Sequence, residues 1–324
     1  MDFRTELPVQ ASAWKFGMKD PLLTLGSCFA QSIGQRLTDN KFQTMANPFG
    51  TVYHPFGIHK LLRYAAFNEY PQDHTYLLHQ GIHFNYDFHS SLADSNKSSL
   101  QKQVHERIAT AHYFLKDCRL VVLTYGTAWV YERNDTQEAV SNCHKMPSKG
   151  FTKRMVSVEE ITESFKSAFK SLITFNPDIQ FILTVSPVRH VKDTLPLNNV
   201  SKAVLRLACH QLSEKYEQVS YFPAYEIMMD DLRDYRFYES DLIHPTETAT
   251  DYIWEKFLGC YCDPSTQSIL RQWNEIRKAI AHRPFHAESD GHRRFLSETL
   301  KKLEDLDLHI DLKTEIQQLK EQLA

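Results

Sequence analysis

The chain has 324 residues, of which 42% are apolar and 24% charged, ordinary usage for a protein with one hydrophobic core and some additions. Its 13 Pro and 10 Gly are too few for a linker-rich or disordered chain. With 37 Lys and Arg against 40 Asp and Glu, the net charge of -3 gives no general attraction to phosphate backbones or anionic lipid, so nucleic acid and membrane are not expected as partners.

The start, Met1-Asp2-Phe3-Arg4-Thr5-Glu6 followed by Pro8, lacks the basic and then apolar pattern of a secretory leader, and the chain is expected to be cytoplasmic. No window approaches the roughly 20 apolar residues that span a bilayer. From Pro21 to about Leu258, short apolar runs pass into amphipathic stretches, the pattern of strands feeding helices around a parallel sheet. Leu22–Leu25 is the first strand and leads through Gly26-Ser27 into a helix over Ala30–Leu37. From Phe67 to Asn96 aromatic, His and polar residues alternate, which fits short strands or a long loop and is read as a cap over the site. Leu120–Tyr125 and Phe181–Val185 are near-continuous apolar runs, as expected of strands covered on both faces. Helices are expected over Val158–Phe175, with Glu159 and Glu160 in the first turn, and over Ser201–Tyr216.

After Cys262 the sequence turns to charged helical character, with Ile269, Trp273, Ile276 and Ile280 spaced for one apolar face and a second helix near Leu312–Leu323. This tail is expected either to pack back or to pair with another subunit as a homo-oligomer. The expected division is a catalytic domain over 1–262, carrying the 67–96 insertion, and a helical extension over 263–324. Six scattered Cys suit reduced, buried thiols rather than a disulfide framework.

Open parallel sheets bind ligands beyond the carboxyl ends of their strands, so residues just after the apolar runs are expected to share one face. Ser27 lies there, with helix-terminal N–H groups beside it; it serves either as an N-cap or as a nucleophile. Asp241-Leu242-Ile243-His244-Pro245 places a carboxylate and an imidazole three apart. There the carboxylate can fix the ring's tautomer while the other nitrogen meets a hydroxyl, unless the pair only caps the next helix. Cys28 leaves the strand in another direction and is read as a small apolar residue.

Arg189 and His190 follow a strand end and are candidates to bind a carboxylate, phosphate or sugar hydroxyl, with Arg189 alternatively holding loop carbonyls. Cys143-His144 is a loop pair, structural or substrate-lining. His74, His79, His83 and His89 lack the helical i, i+4 spacing of hydrolytic zinc sites, and neither metal nor cofactor is expected.

The early Gly-Ser and the late Asp-x-x-His-Pro resemble the first and last signature blocks of SGNH/GDSL hydrolases. Gly26-Ser27-Cys28-Phe29-Ala30 resembles the motif that names the bacterial GSCFA family. Asn47-Pro48-Phe49-Gly50, Gly126-Thr127-Ala128-Trp129, Asn142-Cys143-His144-Lys145, Ser186 to His190 and Asn199 to Lys202 resemble further blocks, so the likeness runs from about Thr24 to Phe285. It implies an α/β, flavodoxin-like three-layer sandwich with a central parallel sheet and a C-terminal helical extension. It also implies Ser27 as nucleophile with Asp241 and His244 in support.

For the oxyanion hole the resemblance implies Gly50, with Asn47 as an added side-chain donor. In the third block Ala128 stands where the superfamily has Asn, so either Thr127, Asn47 or a backbone N–H replaces that donor, or the enzyme is slow. The implied function is a serine esterase acting through an acyl-enzyme on an oxygen ester, with a small acyl group on a carbohydrate or related metabolite as the preferred substrate. An acyltransferase using the same triad, or a non-catalytic glycan- or metabolite-binding module, are the alternatives.

Overall fold

The computed structural model describes residues 4–282, 284–286 and 288–323. Residues 1–3, part of the stretch weighed against a secretory leader, lie outside the described residues. The first half of the chain runs β1 (Leu22–Gly26), α1 (Cys28–Asp39), β2 (Thr44–Ala46), α2 (Pro55–Phe67), β3 (Tyr76–His79), β4 (Ile82–Asn85), α3 (Lys97–Asp117) and β5 (Leu120–Tyr125). It continues with β6 (Trp129–Arg133), β7 (Ala139–Val140), β8 (Phe151–Met155), α4 (Val158–Phe175), β9 (Gln180–Val185), α5 (Leu195–Lys215) and β10 (Val219–Tyr221). The short turn α6 (Ala224–Glu226), α7 (Glu247–Tyr261), α8 (Pro264–Ala281), α9 (Asp290–Leu306) and α10 (Lys313–Leu323) complete it.

Local chemistry sets most helix starts. At α4 the Ser157 hydroxyl accepts from the Glu160 N–H while the Glu160 carboxylate accepts from the Ser157 N–H, a complete capping box. α5 begins at Leu195, six positions before the expected Ser201. Thr194 caps it and Pro196 lies in its first turn, while Leu195, Leu197 and Val200 stay exposed and so break the apolar periodicity that marks a helix start.

Five parallel strands form one sheet in the order β10-β9-β5-β1-β2. Numbering only these strands, the order is the doubly wound, flavodoxin-like 2-1-3-4-5, whose connections reverse direction beside β1. β1 and β5 are buried at every position, and their residues alternate between two layers. Leu23, Leu25, Val121 and Leu123 face a core closed by helices including α2, α3, α4 and α5, whereas Leu22, Leu120, Val122 and Ile182 face one closed by α1, α7 and the tail helices. The result is the expected three-layer sandwich.

The segment read as a cap folds together with residues beyond it. β3 and β4 form a hairpin whose two-residue turn, Gln80-Gly81, has both φ angles positive (51° and 79°), the conformation that matches hairpin twist. It shares a small core of Leu77, Tyr86 and Val140 with a three-stranded antiparallel sheet, β7-β6-β8, that sequence periodicity did not reveal. His54 docks this unit to α2: its Nδ1 accepts from the Gly57 N–H and its Nε2 donates to the Val140 carbonyl. Burial pushes that imidazole down to about 4, so it stays neutral.

The tail packs back on its own chain. Leu270, Trp273, Ile276, Leu303 and Leu319 are buried in one cluster with Phe16, Leu22, Ile33 and Leu37, and the Trp273 indole N–H donates to the Asp39 carbonyl at 3.0 Å. Burying a side chain of this size contributes roughly 1.5–3 kcal/mol. Deleting residues 264–324 is therefore expected to expose this face and cost solubility; a soluble, equally stable truncated monomer in light scattering and thermal melts would contradict it. All six cysteines are unpaired, four of them buried. Among the described residues no helix is long and apolar enough to cross a membrane, and no three His, Cys, Asp or Glu side chains gather as a metal site.

Candidate active site

The site begins where β1 stops. Gly26 has φ 144°, open only to glycine, and a Cβ there would lie 2.2 Å from the Thr124 carbonyl oxygen of β5. The chain can therefore turn sharply against its neighbour strand and present Ser27 at the first turn of α1. Ser27 is 1% exposed; its N–H donates to the Thr124 carbonyl at 3.2 Å, and its Oγ accepts from the Phe29 N–H at 3.3 Å as the N-cap of α1. Cys28 points elsewhere, its Sγ 3.5 Å from the Tyr53 hydroxyl. Burial, and next the bond to Cys28, push the Tyr53 phenol well above its usual range.

The loop after β2 wraps around this turn. Asn47 has φ 42°, a left-handed conformation that Asn tolerates, and is a hub: its N–H donates to the Thr24 carbonyl, its Oδ1 accepts from the Gly26 N–H, and its carbonyl accepts from the Gly50 N–H. Its Nδ2 is buried without a hydrogen-bond partner. Gly50 does not supply the N–H expected of it, because that group closes the turn onto Asn47 at 2.8 Å, and a Cβ on Gly50 would meet the His89 Cβ at 2.4 Å.

Beyond β5, the N–H groups of Gly126 and Thr127 both donate to the Tyr53 carbonyl, at 2.7 and 3.1 Å. The Thr127 hydroxyl pairs with the Ser201 hydroxyl at 3.2 Å and accepts from the Trp129 N–H at 3.1 Å, so it holds the start of β6 to α5. Both hydrogen bonds of the Thr127 hydroxyl are thus made within the scaffold.

Lys202, which sequence reasoning left without a role, is 1% exposed and donates to the carbonyls of Gly126 at 2.8 Å and Ser186 at 2.6 Å, tying the loops after β5 and β9 together. Burial pushes its ammonium down to about 7. Only its place inside a family-like block singled it out in sequence. Lys202→Met would leave both carbonyls buried and unpaired, at roughly 1–3 kcal/mol each. Urea denaturation should show that loss, and an unchanged midpoint would refute the clamp.

The last element is the turn before α7. His244 Nδ1 lies 2.7 Å from Asp241 Oδ2, and since a carboxylate only accepts, the ring proton sits on Nδ1 and Nε2 is left as the acceptor. Asp241 Oδ1 accepts from the N–H groups of Ile243 and His244, at 2.8 and 3.0 Å. The His244 N–H, then the His244 side chain and the Ile243 N–H, hold the Asp241 carboxyl down at about 2, so it is ionised. Leu242 is forced to φ 57°, a strained conformation of the kind concentrated at functional turns.

Arg189 pins this turn: its guanidinium donates to the Leu242 carbonyl and its N–H to the Ile243 carbonyl, and it lies over the Tyr238 ring. It takes the loop-holding role, and by that hold the Asp241–His244 pair sits beside the residues that follow β9. The pair does not reach Ser27 directly. Ser27 Oγ keeps its N-cap bond, while the side chains of His244 and Asp241 are 45% and 44% exposed.

His190 remains near the site: its ring meets that of Tyr53 edge-on at 5.7 Å, its N–H donates to Asn198 Oδ1, and its Nε2 is buried without a partner. His144 does not line it. Its Nε2 donates to the Asn85 carbonyl at 2.8 Å, its Nδ1 pairs with the Ser90 hydroxyl at 3.1 Å and its ring stacks on Phe84, so it packs against the β3–β4 hairpin.

Among known families, the GSCFA family matches residues 21–257, and the family described as "GSCFA domain protein, C-terminal domain" matches 273–324. No curated protein matches the chain in sequence. Among solved structures, the chain is similar to a carbohydrate esterase family 3 protein from Talaromyces cellulolyticus, at TM-score 0.36 and 8% identity over 78% of this chain and 98% of that one. It is also similar to a Clostridium thermocellum family 3 carbohydrate esterase, at TM-score 0.32 and 11% identity over 79% and 98%. A Corynascus thermopiles carbohydrate esterase family 2 enzyme with its carbohydrate binding domain gives TM-score 0.34 and 13% identity over 78% of this chain and 67% of that one.

Proposed function

This chain belongs to the GSCFA family, and from that premise we propose that it is a serine esterase in which Ser27 attacks an oxygen ester with Asp241 and His244 in support. The carrying observation is the Asp241–His244 pair at 2.7 Å, which leaves His244 Nε2 as a free acceptor on a turn pinned by Arg189. A pure binding module has no need of an ionised carboxylate that fixes the tautomer of an exposed imidazole.

In the proposed reaction the Ser27 hydroxyl leaves its N-cap bond, His244 Nε2 takes its proton, and Oγ bonds to the ester carbon. The carbonyl π pair moves onto oxygen, where Asn47 Nδ2 donates to it. Collapse expels the alcohol, which takes the proton from His244, and water repeats the sequence on the acyl-enzyme. A small acyl group on a carbohydrate or related metabolite is the preferred substrate, on the strength of the aromatic and His residues of the cap. The burial of Ser27, at 1% exposure, favours a second reading as acyltransferase, in which an acceptor hydroxyl takes the place of water.

A fluorophosphonate probe tests the common step, since only an activated serine reacts fast. Labelling with the tag on the peptide that contains Ser27 is expected; no labelling, or a tag elsewhere, would remove the proposal.

A further inference from the structure

A developing oxyanion needs donors that point at it and are not already engaged. Around Ser27 most are engaged. The N–H groups of Ser27, Gly50, Gly126 and Thr127 all donate to backbone carbonyls, and that of Phe29 donates to Ser27 Oγ itself. Ala128 has no side-chain donor, and its N–H goes to the Ser201 hydroxyl at 2.7 Å. Among the described residues three side-chain nitrogens are buried without partners, Asn47 Nδ2, His190 Nε2 and Trp129 Nε1; Trp129 begins β6, with Lys153 over its ring, whereas Asn47 bonds to the Gly26 N–H and His190 packs on Gly126. A buried polar atom left unpaired costs on the order of 1–3 kcal/mol, which is tolerable where a ligand will pair it.

The position of His190 follows from the sheet. Gly26 pairs with Thr124, so Ser27 and Gly126 leave adjacent strands, about 4.8 Å apart, within one residue of the same level. A Cβ on Gly126 would lie 3.3 Å from His190 Nε2, so the ring packs against this glycine, at the end of the strand that neighbours β1. Asn198 Oδ1 holds the His190 backbone and Tyr53 flanks the ring edge-on, with the Tyr53 hydroxyl against Cys28.

We infer that His190 is a catalytic residue, donating an Nε2–H hydrogen bond to the oxyanion opposite Asn47 Nδ2 and supplying the donor that Ala128 lacks. The assignment rests on Ser27 being the nucleophile proposed above. No proton leaves His190: it pairs with the electron density that the carbonyl π bond places on oxygen, and releases it when the pair returns to carbon. Burial, then the Lys202 charge, push the imidazole down to about 4, so the ring is neutral at working pH.

The test compares His190→Ala and His190→Gln with the unaltered protein, using p-nitrophenyl acetate turnover and fluorophosphonate labelling. The Ala variant should lose roughly 100- to 1,000-fold in kcat with KM little changed, as for loss of one oxyanion donor. The Gln variant, which keeps an N–H donor, should recover part of it, with the acid limb of the pH–rate profile unmoved in both. Unchanged kcat in the Ala variant, a loss confined to KM, or a shifted acid limb would each overturn the assignment, the last by making His190 the base. Failure of the unaltered protein to label at Ser27 would instead remove the hydrolase proposal on which it stands.

Discussion

Ser27→Ala is expected to lower kcat on a short aryl ester by on the order of 10⁴- to 10⁶-fold and to abolish fluorophosphonate labelling, because the proposed acyl-enzyme forms on the Ser27 oxygen. The structure adds a second expectation. Ser27 also caps α1 through the Phe29 N–H, so its loss should cost about 1 kcal/mol of stability, the usual cost of an N-cap. A variant that is inactive yet only slightly less stable in urea identifies a chemical role. One that turns over normally refutes it, and one that unfolds outright shows Ser27 to be chiefly structural. Cys28→Ala should keep most activity, since its thiol faces Tyr53. If that variant is dead and Ser27→Ala is active, the nucleophile is Cys28.

Asp241→Asn is expected to cost about 10⁴-fold in kcat, and the geometry says why. Asp241 Oδ1 accepts from the N–H groups of Ile243 and His244, and only an oxygen can do so. The new amide must therefore keep its oxygen there and turn its NH₂ toward His244 Nδ1. That donor forces the ring proton onto Nε2, where the ring can no longer accept the Ser27 proton. Because the Asp241 pKa is depressed to about 2, its charge is present above its ordinary value and is lost only as the pH falls through about 2. Activity lost in mildly acidic solution is thus not due to Asp241. Near-wild-type turnover by the Asn variant at neutral pH would exclude Asp241 as the partner of His244.

Much of the framework is legible in the sequence for a physical reason. Strands covered on both faces must be apolar without interruption, so Leu120–Tyr125 and Phe181–Val185 announce themselves, and the order of strands and helices limits the topology. The β7-β6-β8 sheet escaped because its strands alternate charge and aromatics without a continuous run. The early start of α5 escaped because its first turn is exposed.

The candidate triad belongs to what the sequence by itself determined: Ser27 after the first strand and Asp241 three residues before His244 are local arrangements that a motif can carry. The donors do not. Whether Gly50, Thr127 or Asn47 can face an oxyanion depends on which hydrogen bonds each has already made; Gly50 closes a local turn onto Asn47, but the partners of Thr127 and Asn47, Ser201 and Gly26, come from elsewhere in the chain. Likewise the Lys202 clamp and the unpaired His190 Nε2 exist only once β5, β9 and α5 are packed side by side. Hydrogen-bond capacity belongs to a residue type, but what is left over for a substrate is decided by tertiary contacts, because each donor has one proton per N–H and burial leaves it no water to share.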